Sequence, residues 1–267
     1  MKRALFQVLL LVFLAFALHV AAAVEAQAQK KRRSPIPVKK PFAQQNQNPR
    51  ENSVASLDTA IVVDERLAVL RAQPSLYAMP VRRMRRGRTI SISGARDADG
   101  VTFYRVSLSA EGVGWVQAEA VVGKFRRGDD ERLARLVQSS EGFDQIERAR
   151  IFLENFPKSP LRPAMLLLYG DLIEENAAVL SREATRRLSR REMAATGAPV
   201  HSFYLNYTSL DRYRRLGIGF AFNPNTKLLH YDGAAWKEIL RKFPKSAEAV
   251  EAQKRLNSLK EKLERKQ

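Results

Sequence analysis

The chain has no cysteine and only three histidines among its 267 residues. It therefore forms no disulfide, offers no thiolate to zinc and cannot carry a lipoprotein-type anchor on cysteine. Phosphate-binding loops, dinucleotide fingerprints and nucleophile elbows are also missing. The acidic runs Asp129–Glu131 and Glu174–Glu175 place adjacent carboxylates in diverging directions on a helix, so we interpret them as surface acids. We predict a protein that is not an enzyme, with no metal and no cofactor.

The first 28 residues have the pattern of a secretory signal. A short basic start precedes an apolar run over 4–24, and Ala26-Gln27-Ala28 supplies small residues for cleavage. The apolar run is also close to the length that spans a bilayer. We predict a cleaved signal peptide over 1–28 and a periplasmic or secreted location. The alternative is a membrane anchor formed by the uncleaved signal.

Acidic residues are few beside basic ones, 28 against 46, which gives a formal net charge of +18. This excess favours anionic partners. An exported chain meets peptidoglycan and other anionic envelope polymers, so we predict no nucleic-acid partner; the alternative is that the charge only maintains solubility. Residues 29–56 combine basic residues with proline, asparagine and glutamine and lack apolar periodicity. We interpret them as a disordered basic linker.

Residues 57–123 alternate apolar and polar side chains between glycine-containing turns, which is typical of short β-strands. The clearest strands are 89–93 and 103–108, and 97–100 has the composition of a tight turn. Isolated hairpins of this size bury too little surface to be stable. The segment therefore predicts a small closed β-barrel.

Motifs at both ends of this segment resemble those of bacterial SH3-like domains, which often begin with Asn-Val-Arg-x-Gly-Pro-Ser and end with Gly-Trp-Val. The matching residues are Arg71, Pro74, Ser75, Gly114, Trp115 and Val116, with Phe103-Tyr104 where the family commonly has Trp-Tyr. Val69 and Gln73 depart from the opening signature. The resemblance implies an SH3-like barrel that binds peptidoglycan or a peptide, or serves as a spacer.

The candidate ligand-binding residues of this module are aromatic or basic. They are Tyr77, Tyr104, Trp115, Arg82, Arg83, Arg85 and Arg86. Exposed aromatic rings stack on sugars or peptides, and clustered arginines attract anionic polymers. The alternatives are that the rings belong to the core, as we expect for Phe103, and that the arginines only protect an edge strand from pairing.

Residues 129–267 have the apolar period of helices. Phe-Pro-Lys-Ser occurs twice, at 156–159 and 243–246, each time between two amphipathic segments. We predict two helical hairpins, with Ser159 as the N-cap and Pro160 as the first residue of the helix that follows. Between the hairpins we predict a helix over about 200–215 and then a small β-hairpin.

The repeated unit resembles the tetratricopeptide-like repeats of bacterial envelope assembly and cell-division coordinator proteins, although their full consensus is missing. The fold class expected is a multidomain α and β protein, with an SH3-like barrel followed by an all-α helical-hairpin domain with a β-hairpin insertion. The expected function is an exported adaptor or scaffold, whose SH3-like module binds cell wall or a peptide and whose helices bind a protein partner. The alternatives are a structural spacer and a regulatory subunit of a wall-active enzyme.

Overall fold

The computed structural model describes residues 58–108 and 112–265. The predicted signal peptide (1–28) and basic linker (29–56) lie outside the described residues. No helix in the described part of the chain combines the length and the apolar character needed to cross a bilayer.

Seven antiparallel strands form a single sheet in the first half of the described chain. They are β1 (Asp58–Val62), β2 (Val69–Arg71), β3 (Pro80–Arg83), β4 (Thr89–Ala98), β5 (Val101–Leu108), β6 (Gly112–Gln117) and β7 (Val121–Gly123). Their order across the sheet is β3-β2-β6-β5-β4-β1-β7. Asp99 and Gly100, both with positive φ, make the two-residue turn between β4 and β5.

The prediction of a closed barrel was wrong, because this sheet is open. Strands β3 and β7 are its edges, and no described strand pairs with their outer sides. A register shift between Ile92 and Gly94 interrupts the ladder between β4 and β5, and such bulges increase the twist of a sheet. One buried cluster nevertheless contains Leu70, Ile92 and Val121 from distant strands. The alternating pattern determined which face is buried, but not whether the outer strands meet.

The second half is a helical region that contains a β-hairpin, as predicted. Its elements are α1 (Asp129–Gln138), α2 (Gly142–Asn155), α3 (Arg162–Arg187), α4 (Arg190–Thr196), α5 (Val200–Leu205), α6 (Asp211–Arg214), β8 (Phe220–Asn223), β9 (Leu228–Tyr231), α7 (Ala234–Lys242) and α8 (Ala247–Glu264). The long helix α3 packs against α2, α7, α8 and β9. It is therefore the element around which this region is assembled.

Both Phe-Pro-Lys-Ser segments form turns between antiparallel helix neighbours, the first joining α2 to α3 and the second joining α7 to α8. The same backbone hydrogen bond closes each of the two turns. The amide of Ser159 donates to the carbonyl of Phe156 at 3.2 Å, and that of Ser246 donates to Phe243 at 3.0 Å. The predicted helical hairpins are confirmed.

Two details of the helical prediction were wrong. Helix α3 begins at Arg162, with proline in its first turn at Pro163 rather than at Pro160. The Ser159 hydroxyl instead accepts a hydrogen bond from the Leu161 amide and donates one to Asp130, so it organises the turn before the helix. The segment 200–215 is divided into α5, a 3-10 turn over Thr208–Leu210, and α6.

The sheet half and the helical region pack against each other through buried residues. Val63 and Val122 of the sheet half belong to the hydrophobic cluster of the helical half. Arg148 of α2 is buried and donates from Nε to the carbonyl of Val63 at 3.2 Å. At the start of α1, the buried Asp129 accepts a hydrogen bond from the Gly123 amide at 2.8 Å. Strand β7 and helix α1 are thus joined by a buried carboxylate.

Candidate functional site

The three predicted aromatic binding residues do not form one exposed surface. Tyr77 is 90% exposed, whereas Tyr104 is only 9% exposed and Trp115 is half-buried. The ring of Tyr104 packs edge-on against Phe125, with 5.7 Å between ring centroids. Burial raises the pKa of Tyr104. Tyr104 is therefore a core residue, as Phe103 is, and not a platform for a sugar.

The predicted arginine cluster also contains both exposed and buried side chains. Arg82, Arg83 and Arg85 are exposed. The side chain of Arg86 is only 8% exposed, and it donates to Asp144 and Glu147 of α2 at 2.8 Å each. The hydrogen bond from Arg86 lowers the pKa of Asp144. Arg86 therefore joins the sheet to α2 and is not available to an external anion as predicted.

Exposed apolar residues stand beside the outward arginines. Tyr77, Met79 and Val81 are 90%, 77% and 56% exposed. With Arg82 and Arg83 they form what we call the edge surface, along the open edge of β3. Sequence analysis did not select Met79 or Val81, because the run from Tyr77 to Val81 has no apolar–polar alternation that would mark an exposed face.

Arg71 and Ser75 hold the loop of the edge surface in place. Arg71 donates to the carbonyl of Ala78 at 2.8 Å, and Ser75 donates to Asp99 at 2.7 Å. The Leu76 amide donates to the same carboxylate oxygen at 2.8 Å. Tyr77 is therefore presented to solvent by a loop that is fastened at both ends.

The outer edge of β3 also offers backbone groups. Leu70 pairs with Arg82, and the Met84 amide donates to the carbonyl of Ala68. Because bonded and unbonded pairs alternate in an antiparallel ladder, the peptide groups of Arg83 face away from β2. A register shift between Leu70 and Arg71 leaves Val81 without a partner on β2. No described strand covers the outer side of β3. The edge surface thus combines outward peptide groups, apolar side chains and positive charge.

A second site lies in the helical region, where α3, the β8–β9 hairpin, α7 and α8 line a half-open cavity of about 480 Å³. Glu174 of α3 is one of its lining residues. Its carboxylate is 2.9 Å from Nδ1 of His230 and accepts hydrogen bonds from the Lys262 ammonium at 2.9 Å and the Tyr231 amide at 2.8 Å. Three elements therefore meet at one side chain, which we had interpreted as an ordinary surface acid.

The electrostatics of Glu174 reflect these donors. Burial acts to raise its pKa, but the hydrogen bonds from His230, Lys262 and Tyr231 outweigh burial, and the pKa lies below its ordinary value. The carboxylate is thus ionised at neutral pH. Because an ionised carboxylate only accepts hydrogen bonds, Nδ1 of His230 carries the proton.

Replacing Glu174 with glutamine should reduce the loss of stability in acid. A group whose pKa is lowered by folding stabilises the protein above its unfolded pKa, and this contribution disappears as the pH falls through the folded pKa. Urea unfolding between about pH 7 and about pH 3 should therefore show a shallower decline for Glu174→Gln than for the wild type.

The exposed neighbour provides the control for this experiment. Glu175→Gln should follow the wild-type decline, because Glu175 is exposed and has no described hydrogen-bond partner. Parallel pH profiles for Glu174→Gln and the wild type would show that the buried network does not contribute.

Within the described ranges, no group of three histidine or acidic side chains is arranged to hold a metal ion. The edge surface and the cavity are therefore the candidate sites of the described residues. Comparisons with protein-family models, with curated proteins and with solved structures find no significant match to this chain.

Proposed function

We propose that this chain is an exported, non-catalytic adaptor, and that its edge surface binds an extended, acidic peptide segment of a partner protein. The observation that carries the proposal is the open edge of β3, where Tyr77, Met79 and Val81 are exposed beside arginines. The helical region supplies a second protein-binding surface in this proposal. Peptidoglycan is the rival ligand, and a spacer without any ligand is the rival role.

The sheet is proposed to be an open variant of the SH3-like module. Gly114 of its Gly-Trp-Val motif supports this assignment, because a Cβ there would lie 2.6 Å from the Leu70 side chain and 3.0 Å from the carbonyl of Arg71. Only glycine allows β6 to approach β2 so closely. The helical hairpins are proposed to be tetratricopeptide-like, which their repeated Phe-Pro-Lys-Ser turns support.

Strand addition is the mode of binding that this edge favours. The outward peptide groups of Arg83 pair with an extended backbone, and the exposed side chains of the edge surface then contact residues of the added strand. A folded protein tends to avoid a strand edge of this kind or to protect it with charge. Here the arginines still permit pairing with a strand of opposite charge, so they select for an acidic partner.

The proposal is tested by fluorescence anisotropy with a short labelled peptide that alternates valine and glutamate. We expect saturable binding that weakens but persists at about 0.5 M NaCl, because backbone hydrogen bonds and apolar contacts are not screened. The matched peptide with lysine in place of glutamate should bind at least about tenfold more weakly.

Two substitutions locate the binding. The double variant Tyr77→Ser/Met79→Ser should lose about tenfold or more in affinity, since both side chains are exposed and their loss leaves the core intact. The matched control is Val250→Ser, which removes a 61% exposed apolar side chain on α8 and should change nothing.

The same proteins are then mixed with purified peptidoglycan. Salt-resistant retention on the wall without peptide binding would replace the peptide by the wall as the ligand. Equal affinity of the double variant and the wild type for the peptide would show that the edge surface is not the binding site. Binding to neither the peptide nor peptidoglycan would favour the role of a spacer without a ligand.

A further inference from the structure

Three residues that line the cavity of the helical region each have a buried polar atom that the fold leaves without a partner. Nε2 of His230, Oγ1 of Thr226 and Nε1 of Trp236 have no hydrogen-bond partner among the described residues. The His230 side chain is only 7% exposed. Buried polar groups are almost always satisfied, so three such atoms around one cavity point to a ligand.

A hydrogen-bond donor on the ligand would satisfy Nε2 of His230. Glu174 holds the Nδ1 proton, and Lys262 already balances the charge of that carboxylate. In the neutral ring, Nε2 is then an acceptor with its lone pair unused. A hydroxyl or an amide N–H of the ligand matches it, whereas the oxygen of an ether or a carboxylate does not.

The charges around the cavity balance. Three acidic and three basic residues line it: Asp171, Glu174, Glu175, Arg255, Lys262 and Arg265. Several of these charges are already paired within the protein, Arg255 with Asp171 at 3.2 Å and Lys262 with Glu174 at 2.9 Å. The site therefore has no net charge with which to select an anion or a cation.

The rest of the wall is mostly apolar. Ala178, Leu228 and Leu259 line it, together with the indole ring of the buried Trp236. A volume of about 480 Å³ lies in the range of small-molecule sites, which are mostly apolar with a few placed polar groups. An apolar body with one donating group fits such a lining.

We propose that this cavity binds an uncharged, largely apolar small molecule of the phenol or alcohol class, whose hydroxyl donates a hydrogen bond to Nε2 of His230. This site is separate from the edge surface, and the proposal does not depend on the proposed function.

The test uses three probes of similar shape: para-propylphenol, para-propylanisole and para-propylbenzoate. Binding is followed by the ring-nitrogen chemical shifts of His230, with the exposed His201 as an internal control. We expect the phenol to shift His230 saturably and to leave His201 unchanged. The methyl ether, which cannot donate, and the anionic benzoate should each bind roughly tenfold more weakly.

A variant separates the hydrogen bond from the apolar contact. In His230→Phe the phenol and its ether should bind equally, while His201→Phe should preserve the preference for the phenol. The comparison of the three probes on the unaltered protein stands even if His230→Phe does not fold. Equal affinity for phenol and ether, a preference for the benzoate, or no shift at His230 would each overturn the proposal.

Discussion

Asp129→Ala should lower the free energy of unfolding by about 3–5 kcal/mol, the cost of removing one partner from a buried ion pair. Asp129 is 2% exposed. One carboxylate oxygen accepts from Nε of Arg126 at 2.6 Å and from Nε of Arg132 at 3.1 Å, and the other accepts from the Gly123 amide. Alanine would leave two arginines and one amide without their acceptor.

The position of Arg132 makes this loss larger. Burial lowers the pKa of Arg132. The same guanidinium also bonds the carbonyls of Glu119 and Val121, so it cannot turn to solvent without breaking the junction between β7 and α1. We therefore expect Asp129→Ala to weaken the contact between β7 and α1.

Chemical denaturation of matched variants measures the effect. Glu131→Ala is the control, since it removes an exposed acid from the same helical turn and should cost no more than about 0.5 kcal/mol. Asp129→Asn should fall between the two, because its side-chain oxygen still accepts from Gly123 but carries no charge. Equal stability of Asp129→Ala and Glu131→Ala would contradict the buried role.

Trp236→Ala is the second substitution with a large expected effect, also about 3–5 kcal/mol. Trp236 is 2% exposed and is among the largest fully buried side chains. Its indole lies edge-on to Tyr231, with 5.4 Å between centroids, and it packs against α3 at Gly170. Truncation would leave a void where α7, β9 and α3 meet.

The contact with Gly170 gives a sharper test than truncation alone. A Cβ at Gly170 would lie 2.3 Å from Nε1 of Trp236, so Gly170→Ala should destabilise the wild type by overpacking, by about 1–3 kcal/mol before its gain in helix propensity. In the Trp236→Ala background the clash is absent. There the same substitution should stabilise by up to about 1 kcal/mol, because alanine favours a helix more than glycine does.

Thermal or urea unfolding of the four proteins in this cycle yields the coupling energy. Trp115→Ala serves as an outside reference, since Trp115 is half-buried and should cost less than Trp236. An identical effect of Gly170→Ala in both backgrounds would show that the two residues do not touch.

The sequence by itself determined the local elements. Alternation at 89–93 and 103–108 predicted β4 and β5, and the repeated Phe-Pro-Lys-Ser segments predicted the turns of two helical hairpins. These succeeded because strand and helix periods and proline-containing turns depend on neighbours along the chain. The Gly-Trp-Val motif likewise marked a place where glycine is required by close backbone approach.

The tertiary structure alone decided which candidate side chains are accessible and which distant ones meet. Arg82 and Arg86 belong to one basic cluster in the sequence, yet Arg86 turns inward because α2 brings Asp144 and Glu147 to it. Glu174 was interpreted as a surface acid from the sequence, but in the fold β9 and α8 place His230 and Lys262 within hydrogen-bond distance of it. These contacts, and the open edge of the sheet, depend on how elements far apart in the sequence pack together. The periodicity of neighbouring residues carries no information about that packing.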